Sequence, residues 1–461
     1  MSGRGRRPSS IVVAAVVVAV LVILVSVLAA REQDDDAEGR QAGGGPSRAL
    51  PPAGACATFR PYGTFPGRTV TVFSSIRAPE DTLHLRSYEE FESCTGIMVR
   101  YRGSDEFETL LRSRVGAGDA PDLAIIPQPS LLADLVRSGA VRPAPASVSR
   151  LVEVNWSEDW RSYGTVDGTL YAAPLGASVK SLVWYSPKFF AAHHLSVPTT
   201  WGEMLTLSDT VAAEGVKPWC AGFRSGVASG WPGTDWVEDI MLRTAGAQVY
   251  DEWVQHRIPF NDPRVRLAFD RAGQILKNER YVNGGLGGVR SIAGTRFQDA
   301  GLPIPEGRCA MYRQASFYAA NWPAGLTVGV DGDVFAFYLP PIDSSHGRPL
   351  LGSGEFVAAF SDRPEVVAFQ TYLASSQWAN TKARLGGWAS ANTGLDLRNV
   401  HDPIQRLSVE LLQDPSTTFR FDGSDLMPAS VGAGTFWTGM MNWINGQDTR
   451  QVTDAIEASW P

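Results

Sequence analysis

The hydrophobic pattern of the chain begins with twenty residues, Ile11 to Ala30, among which Ser26 is the only polar member. At about 1.5 Å per residue, such a helix crosses a hydrocarbon layer of about 30 Å. Arg4, Arg6 and Arg7 precede it with no acidic neighbour, which keeps residues 1–10 on the cytoplasmic side and directs the rest outside. A cleavable signal peptide carries about 7–15 apolar residues and a small-residue cleavage site. The longer run and the poor Leu28/Ala30 pair predict an uncleaved transmembrane signal anchor over 11–30, with a secreted chain as the alternative. Residues 31–55 are acidic, then rich in Gly, Pro and Ala, and read as a flexible linker. Folding is expected to start near Cys56.

From there the pattern alternates. Thr69–Ser75 is a short β-rich run, and residues 79–93 carry Leu83, Tyr88 and Phe91 at helical spacing behind Pro-Glu-Asp, a helix opening. Residues 97–101 form a second strand. In 105–115, Phe107, Leu110, Leu111 and Val115 share one helical side. Leu123–Ile126 is a wholly apolar strand, and a further helix starts at Leu131. This order predicts an α/β fold with a parallel sheet covered on both faces. Ligands of such sheets bind beyond the carboxyl ends of the strands. Those ends are polar here: Ser74-Ser75 leading to Glu80, Gly103-Ser104, and Pro127-Gln128.

With 44% hydrophobic residues, the roughly 400 residues after the linker are enough for two domains. The net charge of −7 becomes −10 without the three arginines of the tip, so the basic footprint of a nucleic-acid binder is missing. Cys56, Cys94, Cys220 and Cys309 allow three disulfide connectivities outside the cytoplasm. Their positions favour Cys56–Cys94 and Cys220–Cys309. No CxxC or CxxxH spacing occurs, and no metal or cofactor is expected.

The segments FESCTGIMVRY, GDAPDLAIIPQPSLLADLVRSGAVRP, DGTLYAAPLGASVKSLVWYSPKFF and PTTWGEM resemble the family 1 extracellular solute-binding proteins of ABC sugar importers. PWCAGFRSGVASGWPGTDWVEDIMLR, GRCAMYRQASF, GGWASANTGLD and FDGSDLMPASVGAGTFWTGM are similar to the alpha-glucoside-type binding proteins within it. The resemblance runs from about Cys56 to the C terminus. It does not extend to the family's lipid anchor, since no cysteine closes the apolar run. It implies two periplasmic-binding-protein-like lobes of the type II, Venus-flytrap kind, closing on ligand in a cleft. The first lobe would take residues 56–177 with 354–385, the second 178–353 with 386–461. It also implies ABC permease subunits as partners, on the outer face of the membrane.

A sugar presents hydroxyls at its edge and a CH-rich face, so its pocket combines aromatic platforms with a few placed polar groups. Trp231, Asp235 and Trp236 sit in a Gly/Pro-rich segment that opens a helix. Arg313 and Gln314 lie beside Phe317, where the resemblance implies an aromatic platform. Glu355 enters an apolar strand after Gly352-Ser353-Gly354 and needs a partner, either a ligand hydroxyl or Lys180. Glu80, Ser104, Gln128, Trp388, Asn392 and Trp437 complete the candidate ligand-binding set, and no residue is assigned to catalysis. An exported glycoside hydrolase is the rival reading, with two of Glu80, Asp235 and Glu355 as carboxylates about 5–9.5 Å apart. A sugar sensor on the same fold is a third. The G-x-S-x-G elbow and the G-x-G-x-x-G and P-loop patterns are absent.

Overall fold

The computed structural model describes residues 56–414 and 416–461. The expected tip (1–10), signal anchor (11–30) and linker (31–55) lie outside the described residues. Among the described residues no helix is long and apolar enough to cross a membrane.

The strands are β1 (Thr69–Ser74), β2 (Met98–Gly103), β3 (Leu123–Ile126), β4 (Thr165–Val166), β5 (Thr169–Leu170), β6 (Ala172–Val179), β7 (Leu182–Tyr185), β8 (Lys217–Cys220), β9 (Cys309–Arg313), β10 (Phe335–Tyr338), β11 (Arg348–Ala359) and β12 (Thr417–Phe421). The first large sheet runs β12–β11–β3–β1–β2, and β6 also pairs with β11. β1 is parallel to β2 and β3, with Val72 facing Tyr101 on one side and Leu123 on the other. β11 returns antiparallel to β3 and β6. The period of two in strand side chains sends Val70, Val72, Leu123 and Ile125 to one core with Phe91 and Trp378. Phe73, Ala124 and Ile126 go to the opposite core with Phe107 and Trp160. Both faces of the sheet are therefore buried, which is why Leu123–Ile126 has no polar residue.

The second sheet runs β10–β7–β9–β8. Val183, Trp219 and Met311 face one core, while Leu182, Trp184 and Tyr312 face the other. The helices Trp231–Val254, Pro263–Leu276 and Trp437–Ile444 cover the first of these cores.

Both disulfides join the expected cysteines. Cys56–Cys94 ties the first turn of the described chain to the helix Asp81–Thr95, and Cys220–Cys309 ties β8 to its parallel neighbour β9. The loops they close span 38 and 89 residues, each contributing about 4 kcal/mol in a chain-entropy account.

The chain passes between the sheets at Lys180-Ser181, along β11, and after Phe421. The expected lobe boundaries, 177/178 and 353/354, fall inside strands. β6 stays in the first sheet to Val179 through its pairing with Gly352–Ala358, which shifts register at Glu355/Phe356, and β11 enters that sheet from Arg348 through its pairing with β12. β12, expected in the second lobe, pairs with β11 in the first sheet, whereas Phe436, Trp443 and Ile456 pack in the second core.

Candidate functional site

A cleft of about 1360 Å³ of empty space opens between the two sheets. Its first edge is built from the carboxyl ends of the parallel strands. Ser75 follows β1, Ser104 follows β2, and Pro127-Gln128 follow β3; all four line the cleft together with Glu80. Asn321, from the far side, donates a 3.0 Å hydrogen bond to Glu80 Oε1.

The opposite wall is aromatic. Trp231, the first residue of its helix, meets Phe297 edge-on at 5.0 Å and Phe317 at 6.0 Å between ring centroids. The helix starts there because Gly230 adopts φ 113°, and a Cβ at that position would lie 2.1 Å from the Trp437 carbonyl oxygen. Trp437 also lines the cleft, as does Trp388 from the core of the first sheet, and both indole Nε1 groups are buried with no hydrogen-bond partner. Gly176 of β6 leaves the space between Trp388 and Glu355 open. A Cβ there would sit 2.3 Å from Trp388 Nε1 and 2.5 Å from Glu355 Oε2.

Glu80 and Glu355 are both pushed up to about 7 by burial. The hydrogen bond from Asn321 opposes the shift at Glu80. At Glu355 its own backbone N–H opposes it first, then Lys382 and, more weakly, Lys180. Lys180 is thus not the main partner of Glu355. It donates to Asp235 Oδ1 at 2.8 Å and to Asp422, and its ammonium lies 5.3 Å from the Trp231 ring centroid. Burial works against the charges, but Lys180 holds the Asp422 carboxyl below its ordinary range, and Asp235 and Asp422 together keep Lys180 charged.

The same network accounts for candidate residues that do not line the cleft. Asp235 is fully buried between Lys180 and Arg313. Arg313 makes its other bonds to Asp239, and Ser181 Oγ bridges Asp239 and the Leu351 N–H. These contacts fasten the crossings at Lys180-Ser181, Leu351 and Asp422 to one helix. Trp236 packs edge-on against Trp219 in the core. Gln314 bonds Tyr312 Oη and the Ala315 N–H. Asn392 Oδ1 accepts from the Gly394 N–H. All five are therefore reassigned from the cleft surface to its supporting wall. Glu80, Ser104, Gln128, Lys180, Trp231, Phe317, Glu355, Trp388 and Trp437 do line it.

Residues outside the candidate set also reach the cleft, among them Arg77, Asp105, Phe297, Asp402 and Asp425. Asp402 has the signature of an ordinary N-cap, accepting from the Ile404 and Gln405 N–H groups, so nothing local marked it. The two cations that reach the cleft are already paired, Arg77 with Asp105 at 3.6 Å and Lys180 as above. Burial also holds the carboxyls of Glu80, Glu108, Glu355 and Asp425 toward their neutral forms, and among the described residues the cleft offers no unpaired lining cation to an anion. Asp235, Glu238 and Asp422 bring carboxylate oxygens within 4.8 Å of one another, but Lys180 already bonds two of these residues.

Residues 80–380 match the family described as bacterial extracellular solute-binding protein. The chain is 45% identical to an osmoprotective compounds-binding protein of Synechocystis sp. over 398 residues, covering 86% of this chain and 93% of that protein. It is 38% identical to an alpha-glucosides-binding periplasmic protein of Rhizobium meliloti over 409 residues, covering 86% and 87%. Among solved structures, a bacterial solute receptor with a preference for β-D-galactopyranose superposes with a TM-score of 0.71 at 18% identity. That match covers 85% of this chain and 97% of the receptor, and shows the two-lobed α/β fold.

Proposed function

We propose that this chain, which belongs to the bacterial extracellular solute-binding protein family, captures an uncharged carbohydrate in the cleft between its two sheets. The carrying observation is the cleft lining: aromatic faces of Trp231, Phe317, Trp388 and Trp437 around the carboxyls of Glu80 and Glu355. Rings of this kind cover the CH face of a sugar while carboxylates accept from its hydroxyls. The name of the Rhizobium meliloti relative supports an α-glucoside or similar oligosaccharide, and that of the Synechocystis relative widens the set to osmoprotective compounds. The protein acts as the receptor of an ABC importer, handing its ligand to permease subunits. The apolar run 11–30 tethers it to the outer face of the membrane.

Hydrolysis is the second reading, favoured by the two cleft carboxyls. A glycosidase separates the pKa values of its acid and base. Here burial displaces Glu80 and Glu355 in the same direction, and Asp235 is ion-paired to two cations. The arrangement supports binding over turnover.

A thermal-shift screen of the full chain against mono- and oligosaccharides tests the proposal, because a ligand of the native state raises Tm with its concentration. An α-glucoside is expected to raise Tm and to be recovered intact. Breakdown of the sugar transfers the assignment to the hydrolase, and no shift with any carbohydrate removes the sugar.

A further inference from the structure

Part of the cleft's polar lining comes from neither the strand ends nor the aromatic wall. The helix Pro403–Gln413 brings Ile404, Gln405 and Ser408 to it, beside its N-cap Asp402. This helix is fastened to the second sheet, because Ile404 and Leu411 pack in the core that holds Leu182 and Trp184. Most of its polar groups are already used. Asp402 Oδ1 accepts from the Ile404 and Gln405 N–H groups at 2.8 and 2.9 Å, so those backbone donors are occupied. Ser408 Oγ donates to the Ile404 carbonyl oxygen at 2.7 Å. The Gln405 carboxamide is different: Nε2 and Oε1 are both buried without a hydrogen-bond partner, on a residue only 2% exposed. Among the described residues, Gln405 alone has a buried side-chain donor and a buried side-chain acceptor that are both unused. Such groups destabilise a fold, and an apolar side chain of similar shape would avoid the cost. The carboxamide is explained by a partner that arrives with the ligand.

The first sheet's side supplies a second unused group. His84, on the helix Asp81–Thr95, lines the same cleft and stacks on Trp378 at 6.3 Å between ring centroids. Its Nδ1 is buried with no partner. Burial lowers the imidazole pKa well below its ordinary value and the Lys382 charge adds to this, so the ring is neutral, with one donor and one acceptor nitrogen.

We infer that Gln405 and His84 are specificity-determining residues that read the arrangement of the ligand's hydroxyls. One hydroxyl donates to Gln405 Oε1 while its neighbour accepts from Gln405 Nε2, and His84 Nδ1 meets a further hydroxyl from the opposite side of the cleft. The inference rests on the carbohydrate reading and adds a requirement to it: the ligand presents two adjacent, unsubstituted hydroxyls to the helix Pro403–Gln413. A site built to bond a hydroxyl rejects the analogue that lacks it, because its own buried groups are then left unpaired.

The test is calorimetric titration of the full chain with methyl α-D-glucopyranoside, maltose and their monodeoxy counterparts. In the wild type, at least one monodeoxy compound is expected to bind about tenfold more weakly than its parent. Gln405→Leu should weaken the parent sugars by about the same factor and leave that compound's affinity unchanged. The ligand-free Tm of this variant should not fall, since no hydrogen bond of the protein is lost. His84→Phe keeps a ring on Trp378 and removes both nitrogens. It should couple in the same way to a different deoxy compound, so a folding failure of one variant leaves the test intact. Variants that weaken parents and deoxy compounds by one common factor, or weaken none of them, overturn the inference while the carbohydrate reading stands. If no sugar binds the wild type, both fall.

Discussion

At the residue scale, the cleft combines carboxyls that are hard to ionise with indole donors that have no partner. Burial raises Glu80 and Glu355 to about 7, above their ordinary carboxylate value. The stabilisation from their protonated forms is complete below about pH 4.5 and is lost as pH rises to about 7. The ligand-free protein is therefore expected to lose stability across that window and then level off, with Glu355→Gln flattening the profile in pH-dependent melting. Sugar hydroxyls that donate to the ionised forms favour deprotonation, so binding should release protons below pH 7. Calorimetry in buffers of different ionisation enthalpy reads this directly; an enthalpy independent of buffer would exclude these carboxyls from contact. A second prediction concerns Lys180. Its removal by Lys180→Met leaves Asp235 and Asp422 buried without their shared cation, a loss of about 3–5 kcal/mol by urea denaturation. The polarity of Lys180 and Ser181 inside an apolar run was visible in the sequence, but their partners Asp422 and Asp239 lie 242 and 58 residues away, and residue order does not encode that pairing. Trp231 and Trp236 were both candidates from one Gly/Pro-rich segment, yet five positions apart along one helix the first meets the cleft and the other the core.

At the scale of elements, the first β1–β3 region was readable because local rules agree there. The apolar period, the Pro-Glu-Asp opening and the polar strand ends all point the same way, and the helix Asp81–Thr95 and the strand Leu123–Ile126 form close to where the pattern puts them. The crossing strands were less legible. β6 and β11 are buried on both faces and carry glycines, so no change of period marks where one lobe gives way to the other. Gly176 shows what those glycines do. Gly176→Ala pushes a methyl group between Trp388 Nε1 and Glu355 Oε2, and overpacking of this kind costs about 1–3 kcal/mol. The expected outcome is a Tm lowered by a few degrees together with a loss of sugar affinity larger than that of Asn392→Ala, whose side chain accepts from the Gly394 N–H outside the cleft lining. Equal affinity losses in the two variants would count against the Trp388–Glu355 edge of the site.

On the scale of the whole molecule, two sheets joined by three crossings bring Trp231 and Phe317 to the same cleft as Trp388, Glu80 and Glu355. The lining cations Arg77 and Lys180 are already ion-paired, which predicts discrimination: glucose 6-phosphate and glucuronate should bind at least about tenfold more weakly than their neutral counterparts, measured by competition at about 0.15 M salt. The fold class, both disulfides and the family were legible in sequence, since each rests on patterns spread along the chain. The division of candidate residues between cleft surface and supporting wall was not, because it depends on which side of a helix or loop faces a neighbour from another part of the chain. A crystal structure of the full chain with a bound α-glucoside is the most direct test of the cleft. One sugar ring is expected among Trp231, Phe317 and Trp388, with hydroxyls on Glu355 and Trp388 Nε1. A sugar held outside the cleft, or bound within it without touching Trp231 or Glu355, would contradict this placement.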